Sequence, residues 1–134
     1  MLGEVIGEER GKVTSQRVLP SEGGPPRVET SFQAQGTLYG VPSNEMATYV
    51  AVLRPDGTLF GEGQGVVMGQ NGEAATWRGS GLGTMKKDGS ISYRGAVYYE
   101  SASPAWARCN AVAGVFEYEV DAQGNTRGKL WEWK

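Results

Sequence analysis

Apolar and polar residues alternate along most of this chain with a period of two. The segments 28–40, 45–54, 58–69, 73–86, 90–101, 110–120 and 125–133 are rich in Val, Tyr, Phe, Trp and Thr and read as half-buried strands. An eighth strand is predicted between Lys12 and Leu19; the part before it, with Gly7 and Gly11, either extends that strand or forms a bent arm. Turn signals separate the segments: Val41-Pro42-Ser43-Asn44, Pro55-Asp56-Gly57, Gln70-Asn71-Gly72, Lys87-Asp88-Gly89 and Ala122-Gln123-Gly124-Asn125. Asp-Gly and Asn-Gly predict tight hairpins of the primed type, in which both central residues take positive φ. Ser21-Glu22-Gly23-Gly24-Pro25-Pro26 reads as a loop, and only Ser103-Pro104-Ala105-Trp106-Ala107-Arg108 suits a short helical turn, with Ser103 as N-cap and Pro104 at the first position.

Consecutive hairpins without a parallel crossover imply a meander, and eight long strands hide their edges by closing. The expected fold is therefore all-β, an eight-stranded antiparallel up-and-down barrel with at most one short helical turn, in a single domain over residues 1–134. Gly61, Gly63 and Gly65, then Gly79, Gly81 and Gly83, put three glycines on one face of each of two neighbouring strands. Glycine weakens a strand interior, so these rows mark sharp curvature or close approach by another group. They do not form a phosphate loop, which needs a helix after Gly-x-Gly-x-x-Gly.

Alternation also sorts the faces. In 90–101 the inward set is Ile91, Tyr93, Val97 and Tyr99; in 110–120 it is Val112, Phe116, Tyr118 and Val120, leaving Glu117 and Glu119 outside. In 58–69, Phe60, Val66 and Met68 share a face with Glu62, which makes Glu62 the carboxylate expected to be buried, alone in the barrel or paired with Arg78 or Arg94. Should the glycine rows point inward instead, two walls contribute almost no side-chain volume. A pocket lined by Tyr93, Tyr99 and Phe116 is then expected. Trp131 and Trp133, on one face of the last strand, read as core or closure residues, and Glu8-Glu9-Arg10 as a solvated turn.

Composition narrows the chemistry. The 13 Lys and Arg nearly balance 15 Asp and Glu, so neither a nucleic-acid surface nor an anionic-membrane surface is expected. No run is apolar and long enough for a membrane helix, and the start Met1-Leu2-Gly3-Glu4 does not resemble a secretion signal, which makes the cytoplasm the expected compartment. With no histidine and one cysteine, Cys109, the chain lacks the residues of histidine-based triads and Cys/His zinc sites. No metal and no cofactor is expected, and Cys109 reads as a small buried hydrophobe rather than a nucleophile.

Phe32-Gln33-Ala34-Gln35-Gly36-Thr37-Leu38-Tyr39-Gly40, Thr48-Tyr49, Arg54-Pro55-Asp56-Gly57-Thr58-Leu59, Gly61-Glu62-Gly63-Gln64-Gly65, Tyr93-Arg94-Gly95 and Phe116-Glu117-Tyr118-Glu119-Val120-Asp121 together resemble uncharacterised bacterial proteins similar to small barrels of the allene oxide cyclase type. The resemblance spans about residues 28–133. It implies an eight-stranded barrel with an apolar interior, often a homo-oligomer, and carries no catalytic residue onto this chain. Three functions fit these expectations. The first is a barrel binding a small apolar or amphipathic ligand through Tyr93, Tyr99, Phe116 and Glu62. The second is a cofactor-free isomerase or cyclase using a pocket carboxylate, and the third a structural or interaction protein with a filled interior.

Overall fold

The computed structural model describes residues 1–134. Eight strands run in chain order: β1 Leu2–Leu19, β2 Arg27–Leu38, β3 Val41–Leu53, β4 Leu59–Gly69, β5 Ala74–Met85, β6 Ile91–Glu100, β7 Ala113–Val120 and β8 Asn125–Trp133. Each pairs antiparallel with the next, and β1 pairs with β8, from Leu2 opposite Trp133 to Lys12 opposite Asn125, to close an up-and-down barrel. The expected fold class is the observed one. No helix is long and apolar enough to cross a membrane.

β1 is longer than expected because its N-terminal half is strand as well: Gly7 to Lys12 bond to β2 on one side and β8 on the other. Glu8-Glu9-Arg10 is therefore mid-strand and not a turn. Beyond Lys12, β1 outruns β8 and pairs with β2 alone as far as Leu19 opposite Arg27, with a register shift between Val13 and Ser15. Such a shift adds local twist and helps a long strand follow a curved wall.

The turns depart from expectation in type. Gly57, Gly72, Gly89 and Gly124 have φ of 88°, 91°, 88° and 83°, while the Asp, Asn and Gln before them stay in ordinary backbone regions. Each hairpin closes through a type I turn followed by one left-handed glycine, as in Gly57 N–H to Arg54 C=O at 2.9 Å and Arg54 N–H to Thr58 C=O at 2.8 Å. Asp56 and Asp88 brace their turns by accepting from the backbone N–H two residues on, at 3.0 and 2.9 Å. The primed turn lies elsewhere: Tyr39 (φ 49°) and Gly40 (φ 77°) join β2 to β3, so Val41 to Asn44, expected to turn, start β3.

Topology places the Tyr39-Gly40 turn, the 70–73 turn and both termini at one end of the barrel. The remaining connection at that end is a 3₁₀ helix, Pro104–Ala111, between β6 and β7. Ser103 stands at the N-cap position and Pro104 in the first turn, as expected, but the Ser103 hydroxyl makes no cap bond and instead accepts from Ala74 N–H at 3.0 Å. The helix drives Trp106 into the barrel mouth, where the residue is 0 % exposed and its Nε1–H donates to Leu38 C=O at 2.9 Å. Cys109 is buried beside it, against a cluster that includes Ile6, Val97 and Leu130.

Toward the other end, Phe32, Tyr49, Tyr93 and Tyr118 pack ring on ring, with centroids 5.1 to 6.2 Å apart. These separations suit edge-to-face and tilted aromatic contacts. Leu59 and Val120 complete this second cluster. The barrel thus has a tryptophan plug at one end and an aromatic floor at the other.

Candidate functional site

Between plug and floor lies a cavity of about 120 Å³. Its walls follow from the glycine rows. Gly61, Gly63, Gly65, Gly79, Gly81 and Gly83 all lie on the inner face, with Gly61 opposite Gly81 and Gly63 opposite Gly79. Rings from neighbouring strands lean into the room they leave. A Cβ on Gly81 would stand 3.0 Å from Phe116, one on Gly83 2.6 Å from Tyr93, and one on Gly65 would collide with the Trp77 indole. The glycines therefore seat aromatic residues, and the cavity is the space those rings leave over. Tyr93, Tyr99 and Phe116 all lie on its lining.

Glu62 does not. With the glycines inside, Phe60, Glu62, Gln64, Val66 and Met68 must point out, and Glu62 is exposed on the outer wall. It pairs with neither expected partner: Arg94 stands by Glu117 at 3.7 Å and Glu119 at 3.9 Å, and Arg78, opposite Gln64, makes no ion pair. The side chains of Val66 and Met68 are half exposed beside Met46. The last strand is reversed in the same way: Trp133 is exposed, whereas Glu132 points inward and takes two hydrogen bonds from Arg108 Nη2, at 3.0 and 2.7 Å.

Four glutamates border the cavity, but Glu8 and Glu117 stand on the outer faces of their strands, 3.9 Å from Lys129 and 3.7 Å from Arg94, so the carboxyls inside are Glu9 and Glu45. Glu9 lies opposite Gly36 of β2 and Gly128 of β8, so neither flanking strand puts a side chain beside it. A Cβ on Gly128 would stand 2.9 Å from Glu9 Oε1. Burial pushes the Glu9 carboxyl well above its usual range, and a hydrogen bond and charge repulsion from Glu45 push it further. Glu45 is buried and accepts a short hydrogen bond from Trp77 Nε1–H.

Tyrosines surround the pair. Burial raises the titration of Tyr49, Tyr93, Tyr99 and Tyr118, and the carboxyls of Glu45 and Glu9 raise Tyr99 and Tyr118 further. These phenols stay protonated throughout the physiological range. The Tyr118 hydroxyl is buried and, although close to Tyr49, forms no well-shaped hydrogen bond. Tyr39, by the helical plug, also has an unpaired buried hydroxyl, and burial with the nearby Cys109 and Glu132 lifts it to about 12. Burial pushes up the Cys109 thiol as well, as befits an inert packing residue.

The site is thus an apolar, glycine-walled chamber holding two carboxyls, one indole donor already engaged, and the rings of Tyr49, Tyr93 and Tyr99. It can bind a small molecule by shape and fix its polar end.

No protein-family model matches the chain, and no curated protein resembles it in sequence. Solved structures do resemble it in fold. A conserved protein of unknown function from Rhodopseudomonas palustris superposes with a TM-score of 0.83 at 9 % identity, covering 98 % of this chain and 97 % of the other. A protein of unknown function from Clostridium acetobutylicum gives 0.83 at 12 % identity over 96 % of each chain. A β-barrel-like protein from Acinetobacter baumannii gives 0.84 at 8 % identity over 100 % of this chain and 96 % of the other. The fold is shared with uncharacterised barrel proteins, and their descriptions assign no function.

Proposed function

We propose that this barrel is a receptor for one small, largely apolar molecule, held between the aromatic floor and the Trp106 plug. The observation that carries this reading is the cavity of about 120 Å³ lined by apolar rings, with the Glu9 and Glu45 carboxyls on its wall. Apolar walls with a few convergent polar groups are what a small-molecule pocket uses to hold and orient its guest. A structural barrel gains nothing from such a chamber, since filling it with side chains would add stability. The cavity is of the size that holds about one benzene ring.

A cofactor-free isomerase of the allene oxide cyclase type is the second reading, and Glu9, not Glu62, is then its acid. Its support is the carboxyl of Glu9 on the cavity wall, whose titration burial raises. The receptor reading is tested by titrating small aromatic alcohols, amines and acids, together with short-chain amphiphiles, while following tryptophan fluorescence and thermal midpoint. Trp77 lies on the wall and reports occupancy. A ligand at about 100 times its Kd adds about 2.7 kcal/mol of stability. If no compound shifts either signal, the barrel has only a structural role.

A further inference from the structure

We propose that the ligand of this chamber is an organic cation: a protonated amine on an apolar body of about one aromatic ring. This rests on the receptor reading and adds the charge of the guest. All 13 Lys and Arg side chains belong to exposed residues, and none stands on the inner face of a strand. Lys129, although its residue borders the cavity, turns its ammonium outward, 3.9 Å from Glu8 and 5.5 Å above the Trp131 ring. Glu8 and Glu117 also border the cavity but pair with Lys129 and Arg94 on the outer wall, and Glu132 pairs with Arg108 at the plugged end, so the charge-bearing side chains facing the chamber are Glu9 and Glu45.

A carboxylate or phosphate guest would meet two carboxyls and no counter-charge in a low-dielectric space, which is strongly unfavourable. A neutral guest could fill the volume but gives the carboxyl pair no charge partner. An ammonium group matches it. Its N–H donors match the carboxylate acceptors that Glu9 and Glu45 present on the wall. Phe32, Tyr49, Tyr93 and Tyr118 add aromatic faces, which attract a desolvated cation. A metal ion is a poor alternative, because no third carboxylate or thiol stands with the pair.

Entry of the cation displaces the proton from Glu9 to solvent, so binding releases a proton and tightens as pH rises toward the Glu9 titration. Around Glu9 the titratable groups are Glu45 and Tyr49 of β3, Tyr99 of β6 and Tyr118 of β7. The flanking β2 and β8 offer only Gly36 and Gly128 at its level, and β5 offers the non-titrating Trp77.

Benzylamine, benzyl alcohol and benzoate share one ring and differ in head-group charge. Titrated calorimetrically into the full chain at pH 7.5, benzylamine is expected to bind about tenfold more tightly than benzyl alcohol, with benzoate silent. Its enthalpy should change between buffers of different ionisation enthalpy, as proton release requires. E9Q should abolish the buffer dependence and most of the preference for the amine while retaining benzyl alcohol binding; E45Q provides a second variant should E9Q fold poorly. Benzyl alcohol or benzoate binding the wild type as tightly as benzylamine would overturn the cation and leave the receptor standing. So would binding of a neutral or acidic compound from the wider titration when all three probes and every other amine fail. Silence from every compound overturns both.

Discussion

The Trp77 indole N–H reaches the Glu45 carboxylate across an intervening strand, joining β5 to β3 over Gly65 of β4. The span exists because Gly65 has no side chain: a Cβ there would collide with the indole nitrogen and its ring carbons. One bare position thus lets a wall residue hold a buried carboxylate in place. Trp77→Phe keeps most of the ring and removes the donor, so Glu45 loses the indole hydrogen bond. A loss of about 1–3 kcal/mol is expected in urea unfolding. Gly65→Ala should displace the indole and lower the midpoint as well, and a double variant should lose less than the two single losses combined. Additive losses would separate Gly65 from the Trp77–Glu45 contact.

Gly63 and Gly61 are neighbours on the same inner row yet differ in surroundings. A Cβ on Gly63 would stand 2.6 Å from the Thr48 carbonyl oxygen and 2.6 Å from Tyr49 Cβ, both rigid parts of β3. At Gly61 the nearest atom is a Tyr93 ring carbon at 3.4 Å, an ordinary contact. Gly63→Val is therefore expected to lower stability by about 3 kcal/mol or more, at the upper end of overpacking costs, while Gly61→Ala stays within about 1 kcal/mol. Equal urea midpoints for the two variants would refute the assignment of the glycine rows as seats for neighbouring groups.

Glu9 makes a signed prediction with pH. Its folded-state titration is raised well above 4.5, so the folded chain holds this proton to higher pH than the unfolded chain does. Below the unfolded value both states are protonated and Glu9 has no effect. As pH rises through the window up to the folded value, the unfolded state ionises first and stability falls. Glu9→Gln removes that slope. The variant should match wild type near pH 4 and exceed it at pH 8, by urea denaturation at each pH. Asp56, Asp88 and Asp121, whose titrations are lowered by hydrogen bonds from their own turns, act in the opposite direction in both proteins and cancel in the difference. A constant difference across the range would place Glu9 in a solvent-like setting.

How far the sequence could be read follows from where its signals were local. The four glycine-closed hairpins lie between alternating strands, and their spacing was enough to infer a closed meander. Strand faces were legible where large apolar residues alternate with polar ones, as from Ile91 to Tyr99 and from Val112 to Val120. They were misread in β4, where the inward set is mostly glycine, flanked by the buried Leu59 and Val67, and the bulky residues Phe60, Val66 and Met68 lie outside with Glu62. The volume missing from that strand is supplied by rings from β3, β5, β6 and β7, which no local pattern shows. Glu9 was hidden by Glu8 and Arg10, its exposed neighbours. A usable signal existed in Gly7 and Gly11, which put Glu9 on a glycine face like those of β4 and β5, and in Ala47, Tyr49 and Ala51, which share a face with Glu45.

Trp106 packs behind Leu38, Val97 and Leu130, which border the chamber, and the last prediction concerns what this plug holds shut. Its side chain is fully buried, and its N–H is held by Leu38 C=O, so the 3₁₀ helix is tied to the end of β2. Trp106→Ala removes a large buried ring and one buried hydrogen bond, for an expected loss of about 3–5 kcal/mol. Trp106→Phe retains most of the packing and leaves the Leu38 carbonyl without its donor, so about 1–3 kcal/mol is expected there. Cys109 gives a local readout independent of global unfolding. The thiol is 2 % exposed and its ionisation is suppressed by burial, so it should react slowly with a thiol reagent in the wild type. Loss of the plug should expose it, accelerating labelling in Trp106→Ala at urea concentrations where the fold persists, with Trp106→Phe intermediate. If labelling instead followed only the global stability of each variant, Cys109 would open solely with the whole barrel, and Trp106 would be a packing residue without a gate beneath it.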